Sequence, residues 1–88
     1  MAVHTVELLE HALEAARQLG MKVRPEWLSG AGGGGCEIKG QKWIFLDLGQ
    51  SPLEQLDQVV QALRGEPALA RLDLPPELKA MLHVRKTA

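Results

Sequence analysis

The stretch Gly35–Leu48 constrains the fold of this chain most, because it predicts a β-hairpin. It reads Gly-Cys-Glu-Ile-Lys-Gly-Gln-Lys-Trp-Ile-Phe-Leu-Asp-Leu and holds the only Phe, the only Cys and one of the two Trp residues. Gly40 and Gln41 separate two runs rich in strand-forming residues, and a two-residue loop that begins with Gly suits a type II′ turn. A longer loop that ends at Lys42 would change the strand pairing, so the register has two candidates.

The two faces of the predicted hairpin carry different side chains. With the two-residue loop, Ile38 faces Trp43 and Cys36 faces Phe45, and these four residues share one face. The other face carries the remaining apolar residues of the second strand: Ile44, Leu46 and Leu48. The second strand is therefore apolar on both faces, as expected of a central strand.

Helical patterns flank the hairpin. Thr5–Leu19 has an apolar stripe at helical spacing, with Thr5 as the predicted N-cap and Gly20 as the residue after the helix end. Ser51-Pro52-Leu53-Glu54 predicts the start of a second helix, because it combines a cap, a first-turn proline and a capping box. Gly65 predicts the end of that helix.

Two segments lie between the first helix and the hairpin. Met21–Arg24 predicts a short strand, and Pro25 makes it an edge strand or ends it, because proline cannot donate to a strand ladder. Trp27 and Leu28 are expected to pack back onto the core. The Gly-rich run Ser29–Gly35 is expected to be the least ordered stretch inside the domain.

The C-terminal third predicts short helices. Pro67–Arg71 predicts one helical turn, Glu77–His83 a last helix, and Val84–Ala88 a frayed tail. The whole chain of 88 residues is expected to form one domain with an ordered core over residues 5–83. The predicted fold class is α+β, in the order α-β-β-β-α-α, with a small three-stranded antiparallel sheet and helices on one face.

Composition excludes several functional classes. The formal net charge is −1, from 10 basic and 11 acidic residues, so nothing indicates a nucleic acid or an anionic membrane as partner. The single Cys excludes an internal disulfide, which favours a reducing cytoplasm. No signal peptide and no membrane span are expected. The absence of Asn and Tyr favours a GC-rich or thermophilic bacterial source.

The Gly-rich run matches a nucleotide-binding pattern in spacing alone. Gly30, Gly32 and Gly35 fit G-x-G-x-x-G, which binds a dinucleotide when a strand precedes the motif and a helix follows it. A strand follows here. The pattern therefore predicts a flexible or tightly turned loop.

Side chains that bind metals or act as nucleophiles are few and scattered. Cys36, His4, His11 and His83 form no C-x-x-C and no H-x-x-x-H pair. Cys36 lies within a predicted strand on the apolar face, where a thiol is poorly activated. We predict a buried structural cysteine and no catalytic, cofactor-binding or metal-binding residue.

Basic residues near Trp43 offer the alternative of a single-strand nucleic-acid platform, which combines aromatic and positive side chains. Glu26, Glu37 and Asp47 interleave with these basic residues, which favours an ordinary sheet edge protected by lysine. Nucleic acid is therefore a minor alternative. The predicted basic rim comprises Lys22, Arg24, Lys39 and Lys42.

The order of elements resembles the core of the zincin-type metallopeptidases of the ImmA/IrrE kind. In those cores a strand ends in a hydrophobic-Asp segment, and a helix with H-E-x-x-H follows. Trp43–Asp47 and Ser51-Pro52 resemble this lead-in, and the resemblance covers residues 5–65. It implies a zincin-like scaffold. The layout is also similar to that of many small bacterial proteins.

The chain departs from that family where zinc would bind. Gln61–Gly65 reads Gln-Ala-Leu-Arg-Gly, so both histidines and the glutamate are missing. Without them the helix offers no zinc ligand and no general base. No catalytic residue carries over from the resemblance.

These patterns favour a non-enzymatic domain that acts through protein contacts, with a second copy of itself or with another protein. A residual zincin-like hydrolase and a weak nucleic-acid binder are the alternatives. If helices cover the Ile44 face, the opposite face is left for the segment Leu69–Leu82 or for a second molecule. The predicted interaction face comprises Trp43, Phe45, Ile38 and Trp27.

Overall fold

The computed structural model describes residues 2–82. The predicted class and element order are confirmed: an α+β fold with three strands and three α-helices in the described chain. His83 and the predicted tail Val84–Ala88 lie outside the described residues. The elements are α1 (Ala2–Gln18), β1 (Lys22–Glu26), β2 (Gly34–Ile38), β3 (Gln41–Asp47), α2 (Pro52–Leu63), a 3₁₀ helix (Pro67–Arg71) and α3 (Pro76–Leu82).

The sheet is mixed, so the predicted purely antiparallel sheet is wrong. The strand order is β1-β3-β2, with β3 antiparallel to β2 and parallel to β1. The segment between Glu26 and Gly34 crosses the end of the sheet, so β2 runs back at the opposite edge. The next strand then fills the space between the two edges. A strand that reverses from β2 in this position must run parallel to β1.

The hairpin turn is Lys39-Gly40, so both predicted registers are wrong. Lys39 has φ +52° and Gly40 has φ +80°, as in a type I′ turn, whose twist matches that of the flanking strands. Cys36 therefore lies opposite Trp43, and Ile38 lies opposite Gln41. The shift from the predicted two-residue loop is an even number of residues. Each side chain consequently stays on its predicted face.

The core lies between the sheet and the helices. Ile44 and Leu46 of β3 are buried within it, as predicted, whereas Leu48 is 37% exposed because the strand ends one residue earlier. The α1 helix packs on α2 and β1, and α2 packs on β2 and β3. The helices supply most of the buried residues: Leu8, Leu9, Ala12, Ala15, Ala16, Leu56, Val59, Val60, Leu63, Leu78 and Leu82.

The helix ends follow local rules with one exception. The capping box of α2 is confirmed: the Glu54 N–H donates to Ser51 Oγ at 3.3 Å, and the Ser51 N–H donates to Glu54 Oε1 at 2.9 Å. Gly20 follows α1 with φ +84°, as predicted. Thr5 is not an N-cap, because α1 begins at Ala2.

Two predictions about packing have different outcomes. Trp27 is 75% exposed, so its predicted packing onto the core is wrong. The segment from Leu69 to Leu82 does contribute to the core, through Leu69, Leu74, Leu78 and Leu82. The α3 helix in this segment packs on α1 and α2. It therefore lies with the other helices.

Candidate interaction surface

The sheet has one face that carries no described helix. Because side chains alternate along strands, the residues on either side of buried Ile44 point away from the core. Strand pairing places their neighbours on β1 and β2 on the same side. We call this surface the open face; it comprises Lys22, Arg24, Cys36, Ile38, Gln41, Trp43 and Phe45.

Two aromatic rings occupy the middle of the open face. The centroids of Trp43 and Phe45 lie 6.1 Å apart, with 12° between the ring planes. The Lys22 ammonium lies 5.3 Å from the Trp43 ring centroid, within the range of a cation–π contact. Both aromatic residues are half-buried. Part of each apolar surface thus remains available to a partner.

The four predicted interaction residues do not form one patch. Trp43 and Phe45 stack on each other, and Ile38, 48% exposed, lies on the same face beside the hairpin turn. Trp27 follows the last residue of β1, at the opposite end of the sheet. With a strand rise of about 3.3 Å per residue and two strand spacings of about 4.8 Å between them, Trp27 and Ile38 are separated by about 25 Å.

Cys36 belongs to the open face as well. It lies opposite Trp43 and its side chain is exposed, so the prediction of a buried structural cysteine is wrong. The reason is the strand order. β2 is an edge strand, and no described helix covers this side of it.

The predicted basic rim divides between the two faces of the sheet. Lys22 and Arg24 lie on the open face, where the Arg24 Nε pairs with Glu26 Oε2 at 2.6 Å. Lys42 points to the helix side, where it binds Glu66. That hydrogen bond raises the pKa of Lys42 above its usual value. The open face therefore carries two of the four predicted cations.

Asp47 organises the Gly-rich loop, although its side chain is only 1% exposed. Its Oδ2 accepts a hydrogen bond from the Gly32 N–H at 2.8 Å. Its Oδ1 accepts from the Gly49 N–H at 2.8 Å and from the Leu28 N–H at 3.1 Å. The carboxylate thus ties the crossing segment to the end of the central strand. The loop that we expected to be the least ordered has a defined geometry.

Opposing effects act on the Asp47 carboxyl. Burial, the largest of them, works to raise its pKa, and the backbone N–H groups of Gly32, Gly49, Leu28 and Gly30 work to lower it. The hydrogen bonds together prevail, so the pKa lies below the usual value of 3.8. Asp47 is therefore ionised at neutral pH, with the charge held by backbone dipoles.

This arrangement explains the G-x-G-x-x-G match. In a dinucleotide site, backbone N–H groups of such a loop bind a phosphate. Here the N–H groups of Gly30 and Gly32 act on the Asp47 carboxylate of the same chain instead. Sequence reasoning missed this role of Asp47. The sequence does contain a signal for it. Asp47 is an acidic residue at the end of an apolar strand, Gly49 follows two residues later, and a run of glycines comes before the hairpin.

Candidate metal ligands do not converge in the described part of the chain. Within residues 2–82, no group of three or more His, Cys, Asp and Glu side chains is placed to hold a metal ion. His4 instead pairs with Glu77 of α3 at 2.5 Å. Over the same residues, no helix combines the length and the apolar character that a membrane crossing requires.

Comparison of the chain with protein-family models, with curated proteins and with solved structures found no match. The resemblance to zincin-type cores therefore stays a hypothesis. The α2 helix ends at Leu63, so only the first part of Gln61–Gly65 is helical.

Proposed function

We propose that this chain is a non-enzymatic domain that acts through protein contacts, and that its partner is a second copy of itself. The observation that supports this proposal is the open face, where Trp43 and Phe45 form an aromatic stack with exposed Cys36 and Ile38 beside it. The buried residues of the C-terminal segment belong to the helical side, so this segment does not account for the face.

The size and charge of the open face define the association that we expect. Three strands about 4.8 Å apart and about 20 Å long give the open face a projected area of about 280 Å². This is small beside a standard interface, in which each partner buries about 800 Å² of accessible surface. Association should therefore be weak, with a micromolar dissociation constant. A net charge of −1 imposes little repulsion between copies. An exposed single thiol is compatible with the reducing cytoplasm that we propose as its compartment.

Sedimentation equilibrium over about 0.1 to about 500 µM protein tests this proposal, since the range brackets a micromolar dissociation constant. The wild type should shift from the monomer mass to the dimer mass. Trp43→Lys should remain folded by circular dichroism and stay monomeric, because a dimer would bury the added charge. The matched control is Leu53→Lys, at a 63% exposed apolar residue of α2, which should dimerise normally. A wild type that stays monomeric, or a folded Trp43→Lys that still dimerises, contradicts the proposal.

A second candidate function, single-strand nucleic-acid binding, is favoured by one observation. Lys22 and Arg24 share the open face with Trp43 and Phe45, and Arg24 is paired there with Glu26. Glu37 points to the helix side and Asp47 is bound by the loop, so Lys22 is the cation without a carboxylate pair in this set. Stacking on aromatic side chains with cations beside them is the usual way to bind single strands. Fluorescence anisotropy with a labelled oligothymidine at low and high salt tests it. Affinity should fall steeply with salt, and Lys22→Ala should weaken it.

A further inference from the structure

We propose that the free edge of β2 binds an extended peptide segment of another protein, added as a fourth strand, with basic side chains toward the helix side. This site uses the edge of the sheet and is distinct from the open face. The cleft between β2 and α2 would receive the basic side chains. The inference does not rest on the self-association proposed above.

The outward backbone groups of β2 follow from the hairpin register. Ile38 and Gln41 flank the two-residue turn and form its hydrogen-bonded pair. Hydrogen-bonded and non-hydrogen-bonded pairs alternate along an antiparallel ladder, so Gly35 and Glu37 belong to the non-hydrogen-bonded pairs. Their N–H and C=O groups therefore point away from β3. No strand within residues 2–82 pairs with this edge.

The two edges of the sheet differ in their protection. β1 contains Pro25, which cannot donate to an added strand, and two exposed cations, Lys22 and Arg24. β2 contains no proline and begins with Gly34 and Gly35, which have no side chains to obstruct a neighbour. Of the two edges, β2 is the one that can pair with an incoming strand.

A cleft of about 450 Å³ borders the β2 edge on the helix side. The strand side of the cleft includes Gly35 and Glu37, and the α2 side includes Gln58, Gln61 and Ala62. In a strand added to β2, alternate side chains would project toward this cleft. Its volume can hold more than one side chain. The remaining side chains would lie beside Cys36 and Ile38.

Charge selects the partner. The charged groups that line the cleft are Glu37, Glu66 and Lys42, and Lys42 is already bound to Glu66. The net charge of these three groups is negative, so a Lys or Arg of the incoming strand would be favoured next to Glu37. In a two-fold pairing of β2 with a second copy centred on Cys36, the two Glu37 residues would lie diagonally, about 8 Å apart, on one face. That repulsion disfavours a second copy as the occupant.

An alternating Lys-Val heptapeptide, acetylated and amidated, is the probe for this site. Titration into ¹⁵N-labelled protein should shift the amide signals of Gly35 and Glu37 and slow their hydrogen exchange. Two matched peptides serve as controls. The same sequence N-methylated at alternate residues lacks the donors for the edge, and an alternating Glu-Val peptide reverses the charge. Both should bind at least about tenfold more weakly, a difference of about 1.4 kcal/mol.

Protein variants separate this site from the open face. Glu37→Pro removes an outward N–H without breaking the bonds to β3, so the fold should remain while peptide affinity falls at least about tenfold. Glu37→Gln should weaken the Lys-Val peptide selectively, and Lys22→Ala, on the open face and on the opposite edge strand, should bind it normally. Absence of binding by the Lys-Val peptide up to about 1 mM overturns the proposal. So does equal binding to Glu37→Pro, or a wild-type dimer that Glu37→Pro makes monomeric.

Discussion

The Asp47 carboxylate holds the Gly32 backbone N–H at 2.8 Å, and this contact joins the Gly-rich loop to the end of the central strand. The same side chain binds the N–H groups of Leu28 and Gly49. The crossing segment between β1 and β2 therefore has a fixed path. That path places β2 at an edge of the sheet, where the proposed peptide site lies.

Asp47→Asn should destabilise the protein. The amide keeps one acceptor oxygen, but its NH₂ group would face backbone N–H donors and leave buried groups unpaired. The loss in free energy of unfolding should exceed that caused by Asp73→Asn, the control, because the Asp73 carboxylate is exposed. Urea denaturation of both variants measures these losses. Equal midpoints for the two variants would show that Asp47 does not organise the loop.

The stability contributed by Asp47 should depend on pH. Its folded-state pKa lies below the usual value of 3.8, so the unfolded chain binds the proton more tightly. The contribution is fully present above about pH 5 and is lost as the pH falls through the folded-state pKa. The stability difference between wild type and Asp47→Asn should therefore shrink below about pH 4. Urea midpoints from neutral to acid pH test this, and a difference that grows on acidification would contradict it.

Gly33 should tolerate no side chain. A Cβ atom there would lie 1.8 Å from the Phe45 carbonyl oxygen, a backbone atom that cannot move aside cheaply. Gly33→Ala should cost about 3 kcal/mol or more. The control is Gly65→Ala, where nothing lies within 4 Å and only the positive φ of +87° is unfavourable, at about 1 to 2 kcal/mol. Urea denaturation should rank the two variants in this order.

The sequence predicted those features of the fold that depend on residues close together in the chain. The capping box of α2 and the apolar stripe of Leu56, Val59, Val60 and Leu63 were visible in the sequence, because each depends on residues a turn apart. The mixed sheet was not, since it depends on the parallel pairing of β3 with β1, which joins residues as distant in sequence as Lys22 and Trp43. The face of Trp43 was predicted by alternation. The exposure of Trp27 and Cys36 depends on strand order, which no local pattern reports.

Ser51→Ala should cost about 1 kcal/mol, because it removes the side-chain acceptor for the Glu54 N–H at the start of α2. Ser29→Ala is the matched control: Ser29 is exposed in the Gly-rich loop, and its φ of +58° disfavours serine and alanine alike. The stability of the Ser29→Ala variant should be almost that of the wild type. Equal losses at the two positions would count against the capping box as a contributor to folding.

Lys39→Asn should stabilise the protein. Lys39 occupies the first position of the type I′ turn with φ +52°, a conformation that costs most residues about 1 to 2 kcal/mol and that Asn adopts more readily. The resulting Asn-Gly pair is the preferred sequence for this turn, and a gain of about 0.5 to 1 kcal/mol is expected. Gln41→Asn is the control, since it would help only if the turn were Gly40-Gln41. In the observed register Gln41 pairs with Ile38, and its side chain donates to the Gly20 carbonyl at 2.8 Å. Gln41→Asn should therefore destabilise, and a gain there with a loss at Lys39→Asn would place the turn one residue later.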